Sequence, residues 1–216
     1  MIALVAGATG LVGGQLLRQL ADDPRYHAVT ALVRRPLPPA LRRERVRQVT
    51  VDYDRLADRA ADLAADHVFC ALGTTIRDAG SRDRFRRVDH DYPRDLARLA
   101  RDAGARHFAL VSAVGANARS RVFYNRVKGE AEAAVRAVDY PSGALFRPSI
   151  LGGRREIGRP MERLGQRIAA LVPGRYRLVP AADVAAAMIA VAAREPAAWR
   201  IVESEEIRAI AAGRAS

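Results

Sequence analysis

The chain has 216 residues, half of them hydrophobic, with 36 Lys and Arg against 24 Asp and Glu and a formal net charge of +12. That length supports one substantial core and not two generous domains, and the composition excludes a disordered or fibrous chain. A single cysteine, Cys70, excludes a disulfide framework, while basic charge carried by dispersed arginines, dense only at Arg42, Arg43, Arg45 and Arg47, argues against nucleic acid as the main partner.

Short apolar runs alternate with longer helical patterns, as repeated β-α-β units require, so the expected fold is a doubly wound parallel sheet with helices on both faces, a Rossmann-type α/β/α domain. The first run, Ile2–Ala6, enters Gly7-Ala8-Thr9-Gly10-Leu11-Val12-Gly13, a GxxGxxG turn that opens a helix over residues 11–20 with Leu11, Leu16, Leu17 and Leu20 near one face. Pro24 ends that helix. A second strand, Ala28–Val33, runs into Arg34-Arg35, and a loop with Pro36, Pro38 and Pro39 leads to a third strand over residues 47–51, closed by Asp52. The fourth strand is expected at residues 67–71, where Cys70 reads as a buried, inert thiol.

A helix over residues 86–103, stopped by Gly104, precedes a fifth strand at 107–112; a helix over 120–138, with Ser120 as N-cap, precedes a sixth at 144–146. Beyond Arg147-Pro148 the pattern is irregular through residues 151–160. A helix (182–193), a strand (199–202) and a short helix (205–211) close the chain. The apolar stretch 181–193 contains Asp183 and falls short of the about 20 residues a membrane helix needs, so it is expected to be a buried helix and no membrane partner is expected. With an apolar strand starting at Ile2 and no room for a leader ahead of it, the expected location is cytoplasmic.

The glycine turn points to a dinucleotide. A strand-to-helix turn this tight needs a residue without Cβ at its first glycine, backbone access to a pyrophosphate at its second, and close helix–strand approach at its third. The amides and dipole of the helix N-terminus then face the phosphates, which makes Gly7, Thr9, Gly10, Leu11, Val12 and Gly13 the expected contacts. An acidic residue after the second strand would pair with the ribose 2′-hydroxyl of NAD. Arg34 and Arg35 stand there instead and suit a 2′-phosphate, so NADP(H) is expected over NAD(H). Asp52 is a candidate for the adenine amino group, with Asp54 the expected helix N-cap.

Lys128 is the only lysine among the 36 Lys and Arg residues, and it follows Tyr124 by one helical turn. A phenol ordinarily keeps its proton up to a pH near 10. A compact ammonium beside it favours the ionised form, a task that the larger arginine fork does not perform in the same space. Tyr124 and Lys128 are therefore candidate catalytic residues. His90 and His107 are isolated, and no spacing of His, Cys or acidic residues suggests a metal site.

With GxxGxxG and Tyr124-Asn125-Arg126-Val127-Lys128 together, the chain resembles the short-chain dehydrogenase/reductases. Leu72-Gly73-Thr74-Thr75-Ile76-Arg77, Val88-Asp89-His90-Asp91-Tyr92, Phe123 to Glu130 and Arg147-Pro148-Ser149-Ile150-Leu151-Gly152 are similar to segments of its atypical branch, the Tat-interacting-protein-like oxidoreductases. The resemblance covers residues 2 to about 193. It implies one dinucleotide-binding domain, cofactor along the carboxyl ends of the strands, and hydride transfer to or from a small carbonyl or alcohol.

It further implies that Tyr124 exchanges the proton, that Lys128 holds the nicotinamide ribose, that Leu72, Gly73, Thr74 and Thr75 lie beside the cofactor, and that Arg147, Pro148 and Ser149 border the nicotinamide. The hydroxyl such families carry at the end of the fifth strand aligns with Ala113. Ser112 is the candidate replacement, with Asn117, a backbone N–H or water as alternatives. A segment around 151–180, with Arg154, Arg155 and Arg159, is expected to cover the substrate. Two rival readings remain: an NADPH-binding regulatory protein with little turnover, and a nucleotide-sugar epimerase or dehydratase, for which little chain follows Ile150. Whether the protein is a monomer or a homodimer is not legible.

Overall fold

A strand covered by helices on both faces must be apolar at successive positions, and the runs that meet this condition become the strands of one parallel sheet. The computed structural model describes residues 1–152 and 177–213. In chain order the elements are β1 (Ile2–Ala6), α1 (Leu11–Asp22), β2 (Ala28–Val33), β3 (Val46–Thr50), β4 (His67–Cys70), α2 (Ile76–Ala79), α3 (Arg82–Arg86), α4 (Tyr92–Asp102), β5 (His107–Val111), α5 (Phe123–Arg136), β6 (Ser142–Arg147), β7 (Leu151–Gly152), β8 (Val179–Pro180), α6 (Ala181–Ala192), β9 (Trp199–Glu203) and α7 (Ser204–Ala211). Seven strands pair in the order β3-β2-β1-β4-β5-β6-β9, all parallel, while β7 and β8 form a separate short pair. This is the expected doubly wound fold.

Alternate residues of each strand face opposite layers. Ala3 and Val5, Val29 and Ala31, Phe69 and Phe146 pack with Leu16, Leu17 and Leu20 of α1 and with Val184 and Met188 of α6. Leu4 and Ala6, Leu32, Val68, Phe108 and Leu145 pack with Leu96 and Ala100 of α4 and Val135 of α5. The order reverses between β1 and β4, so the connections leaving these two strands diverge and open a crevice at their carboxyl ends. Every loop from which a cofactor contact is expected leaves the sheet at that edge.

Several boundaries differ from expectation for identifiable reasons. Strand β6 starts at Ser142, two residues early, because the Ser142 hydroxyl meets His107 Nδ1 at 2.7 Å and a Cβ on Gly143 would fall 2.6 Å from the Trp199 ring. Strand β5 stops at Val111 and leaves Ser112 just beyond the ladder. Helix α5 begins at Phe123 with Val122 in the cap position, so Ser120 is not the N-cap; its Oγ accepts from the Val122 amide at 3.1 Å in the preceding turn.

The stretch after β3 forms a 3-10 segment, Tyr53–Leu63, capped by Asp52 and not by Asp54: Asp52 Oδ1 accepts from the Asp54 amide at 3.0 Å. The helix expected over 86–103 starts instead at Arg82, where Ser81 Oγ accepts from the Arg84 amide, and passes through a π-helical turn, Arg87–Asp91, before α4. Pro93 accounts for the turn, since it has no N–H for the Asp89 carbonyl and its ring crowds that position in a regular helix. Gly104 adopts a left-handed φ of 98°, as its stop signal requires.

Candidate active site

The first wall of the crevice is the turn between β1 and α1. Gly7 has φ 79°, and a Cβ there would lie 2.4 Å from the Ala71 carbonyl oxygen, so only glycine lets β1 turn this close to the end of β4. The Gly10 amide bonds the Gly7 carbonyl at 2.9 Å, and a Cβ on Gly13 would fall 2.0 Å from that same oxygen. Gly10 occupies the N-cap without a side-chain cap, and the first turn of α1 has no acidic residue. The first amides of the helix, on Leu11, Val12 and Gly13, therefore meet no carboxylate from their own turn, and Thr9 is exposed there. Such a glycine-lined helix N-terminus fits a pyrophosphate.

The loops after the other strands carry the remaining expected contacts. Arg34 and Arg35 are both exposed directly after β2. Thr74 donates its amide to Asp89 Oδ2 at 2.9 Å, while Thr75 Oγ1 caps α2 by accepting from the Asp78 amide. Leu72 is half-buried and Gly73 exposed beside them. On the far side, Pro148 is buried and its carbonyl accepts from the Val114 amide at 3.0 Å, joining the loop after β5 to the loop after β6.

Arg147 does not offer its side chain to this crevice. Its guanidinium is bound to Glu132 at 2.9 and 2.6 Å and to Glu203 at 3.0 Å, and the Glu132 bonds, outweighing burial, raise it above the ordinary arginine value. Ser149 Oγ donates to the Arg177 carbonyl and accepts from Ser204 Oγ at 3.1 Å. Both residues hold β6 to its neighbours. Arg154, Arg155 and Arg159, with most of the segment expected over the substrate, lie outside the described residues.

Tyr124 and Lys128 stand one turn apart on α5, Tyr124 half-buried and Lys128 buried. Phe85 supports the phenol, ring centroids 5.5 Å apart. The Lys128 ammonium lies 2.8 Å from Asp89 Oδ1, an ion pair by distance though not aligned as a hydrogen bond, and 3.7 Å from where a Cβ on Gly73 would stand. Burial alone would pull the ammonium below the usual lysine value; the Asp89 carboxylate, then the Tyr124 phenol, outweigh it and hold the ammonium above that value. Lys128 is thus charged while buried. Cys70, behind it on β4, is pushed up to about 12 by burial, which leaves an inert thiol.

Ser112 is 5% exposed, and its hydroxyl finds no hydrogen-bond partner among the described residues, although its amide bonds the Phe146 carbonyl at 2.7 Å. A buried hydroxyl left unsatisfied is costly and rare. Ala113 is also buried. Asn117 is engaged, its amide with the Asn125 carbonyl and its Oδ1 with the Arg119 amide.

Asp89 is the site residue that the motif reading leaves without a role. Its signal lay in the helical period: Phe85, Asp89, Pro93 and Leu96 are spaced four, four and three apart and all are buried, with Asp89 the lone acid on the stripe. Asp52 accepts only one local amide among the bonds described and remains at the end of β3, where it was expected.

Comparison with known proteins agrees with this architecture. Residues 7–195 match the family model described as NAD(P)H-binding. Protein HTATIP2 of Rattus norvegicus is 36% identical over 190 residues, covering 86% of this chain and 78% of that protein. The mitochondrial protein FMP52 of Eremothecium gossypii is 35% identical over 156 residues, 72% of this chain and 69% of that one. Among solved structures, MoeE5 in complex with UDP-glucose and NAD shares the fold with TM-score 0.74 at 18% identity, over 99% of this chain and 81% of that chain.

The cytoplasmic expectation is corrected by the FMP52 match, since that relative is named as mitochondrial. It rested on where the chain begins, which carries no information about compartment. With matched family model, relatives and glycine-turn fold in agreement, the chain belongs to the NAD(P)H-binding family, in the atypical short-chain dehydrogenase/reductase branch with HTATIP2 and FMP52.

Proposed function

We propose that the protein is an NADP-dependent oxidoreductase that interconverts a small carbonyl compound and its alcohol. One observation carries this reading: the chain's single lysine is buried, ion-paired with Asp89 and one helical turn from Tyr124, beside the loop after β4 that continues the glycine-lined crevice. When bound, the dinucleotide supplies or accepts a hydride at the substrate carbon. The glycine turn at Gly7, Gly10 and Gly13, with the amides of Leu11 and Val12, holds the pyrophosphate. Arg34 and Arg35 take the 2′-phosphate, and Asp52 accepts from the adenine amino group.

Lys128 donates to the nicotinamide ribose hydroxyls. In reduction, the carbonyl carbon gains the hydride while Tyr124 gives its proton to the carbonyl oxygen, whose former π pair becomes the new O–H bond; the phenolate regains its proton from solvent. Ser112 offers to the same oxygen a hydroxyl that has no partner among the described residues. A removal of the phenolic oxygen tests the assignment. Tyr124→Phe is expected to lower turnover by about 100-fold or more, the scale of a lost general acid, with NADPH affinity changed by less than about threefold. Undiminished turnover overturns it.

Ala113 favours one other reading, an NADPH-binding regulatory protein, because a methyl group stands where relatives of this kind place a hydroxyl. Tight NADPH binding with no oxidation of it by a broad panel of aldehydes, ketones and quinones selects that reading.

A further inference from the structure

The buried pair of Asp89 and Lys128 does more than balance charge. Asp89 is 1% exposed and lies on the π-helical turn Arg87–Asp91, an irregularity that recurs at functional positions because it re-aims side chains. One carboxylate oxygen lies 2.8 Å from the Lys128 ammonium and the other accepts the Thr74 amide at 2.9 Å. Three separate elements thereby meet at one side chain: α5, the loop after β4, and the turn that Pro93 imposes on the helix before β5. A plain structural ion pair would not need its second oxygen on a loop expected to lie against the cofactor.

We propose that Asp89 is the positioning residue of the site, tying the Lys128 ammonium to the backbone of the Gly73-Thr74 loop so that lysine and loop present one rigid edge to the nicotinamide ribose. The statement about the ribose rests on the oxidoreductase reading; the coupling of Asp89 to Lys128 does not. Other charged or titratable groups around the pair leave Asp89 as the lysine's counter-charge. On α5, Glu130 is bound to Arg86, and Arg126 stacks on Phe123 as does Arg82 of α3; on β4, Cys70 is a neutral thiol; Tyr124 is the remaining neighbour. Without Asp89, an ammonium buried this deeply has mainly Tyr124 to set against the penalty of burial.

Because the sequence has one lysine, isotopic labelling of lysine side-chain carbons gives one signal, and its pH titration reads Lys128 in the cofactor-free protein. The native signal is expected to titrate above the ordinary lysine value. Asp89→Asn is expected to lower that midpoint by more than one pH unit, and Asp89→Glu to restore at least half of the shift. NADPH affinity, followed by its fluorescence, is expected to fall about tenfold or more in Asp89→Asn and to recover in part with Glu. An unchanged lysine midpoint in Asp89→Asn overturns the proposal.

Should Asp89→Asn fail to fold, the double variant Asp89→Asn with Lys128→Gln decides, since two neutral partners remove the buried unpaired charge. Folding of the double variant supports the pairing, and its failure in the same way as the single variant overturns it. Absence of turnover with every substrate tried would sink the oxidoreductase reading and leave the lysine titration to judge Asp89.

Discussion

In the proposed reading, discrimination between the two nicotinamide cofactors falls to single residues at the end of β2. Arg34 and Arg35 are exposed there, with no carboxylate in the position that would favour a free 2′-hydroxyl. A charge-assisted hydrogen bond is worth about 1.5–3 kcal/mol, so removing both guanidinium groups takes more from the phosphorylated cofactor than from the other. The double change Arg34→Ala with Arg35→Ala is expected to raise the Kd for NADPH by about 10- to 100-fold and that for NADH by less than about threefold, as read by fluorescence titration. A parallel loss for both cofactors contradicts the assignment. At this scale the glycines and the Tyr124–Lys128 spacing were legible because each is a local requirement of the chain. The pairings of Asp89, Arg147 and Ser149 were not, since their partners lie 39, 15 and 28 residues away and only tertiary packing brings them together.

Helix α5 carries both Tyr124 and Lys128, and a glycine lets it lie close to the loop before it. A Cβ on Gly129 would lie 2.2 Å from the Ala118 amide nitrogen and 2.3 Å from the Asn117 carbonyl carbon, both backbone atoms that cannot rotate away. Two effects oppose each other in Gly129→Ala. Helix propensity favours alanine by about 1 kcal/mol, whereas forced overpacking against backbone costs about 1–3 kcal/mol or displaces the helix. The clash is expected to win, lowering stability by up to about 2 kcal/mol in urea unfolding and lowering turnover, because Gly129 adjoins Lys128. A variant more stable than the native protein and equally active would show that propensity rules. Elements of this kind were readable where burial on both sheet faces leaves an unbroken apolar run, as in β1 and β2, whose ends fall at the expected residues. The π turn and the 3-10 segment escaped because Pro93 and the Asp52 cap act on backbone geometry without altering the apolar period.

Across the whole molecule the sheet separates two polar centres, the crevice at its carboxyl edge and a buried histidine network at its amino edge. His67 and His107 are register partners on β4 and β5 with ring centroids 5.5 Å apart. His67 Nδ1 lies 2.7 Å from the Tyr26 hydroxyl and Nε2 2.8 Å from Glu195, which Arg106 also holds; since a carboxylate only accepts, Nε2 carries the proton and Tyr26 donates to Nδ1. His107 has Ser142 at Nδ1 and no partner at Nε2 among the described residues, and burial, then the neighbouring His67, pushes it from 6.5 down to about 3. Burial lowers His67 as well, outweighing Glu195.

A group whose folded pKa lies below its unfolded value binds its proton first in the unfolded chain. For His107, unfolding therefore takes up a proton between about pH 6.5 and 3, and the stabilisation present above that window is lost as pH falls through it, by at most about 1.4 kcal/mol per pH unit. From pH 7.5 to pH 5 the expected loss from His107 is about 2 kcal/mol, seen as a lower urea midpoint. His107→Asn keeps a polar partner for Ser142 but does not titrate, so its stability is expected to fall by about 2 kcal/mol less than that of the native protein over the same interval, whatever its stability at pH 7.5. Equal losses in the two proteins would mean that His107 takes up no proton on unfolding, and the acid sensitivity would then belong to His67 and the carboxylates instead.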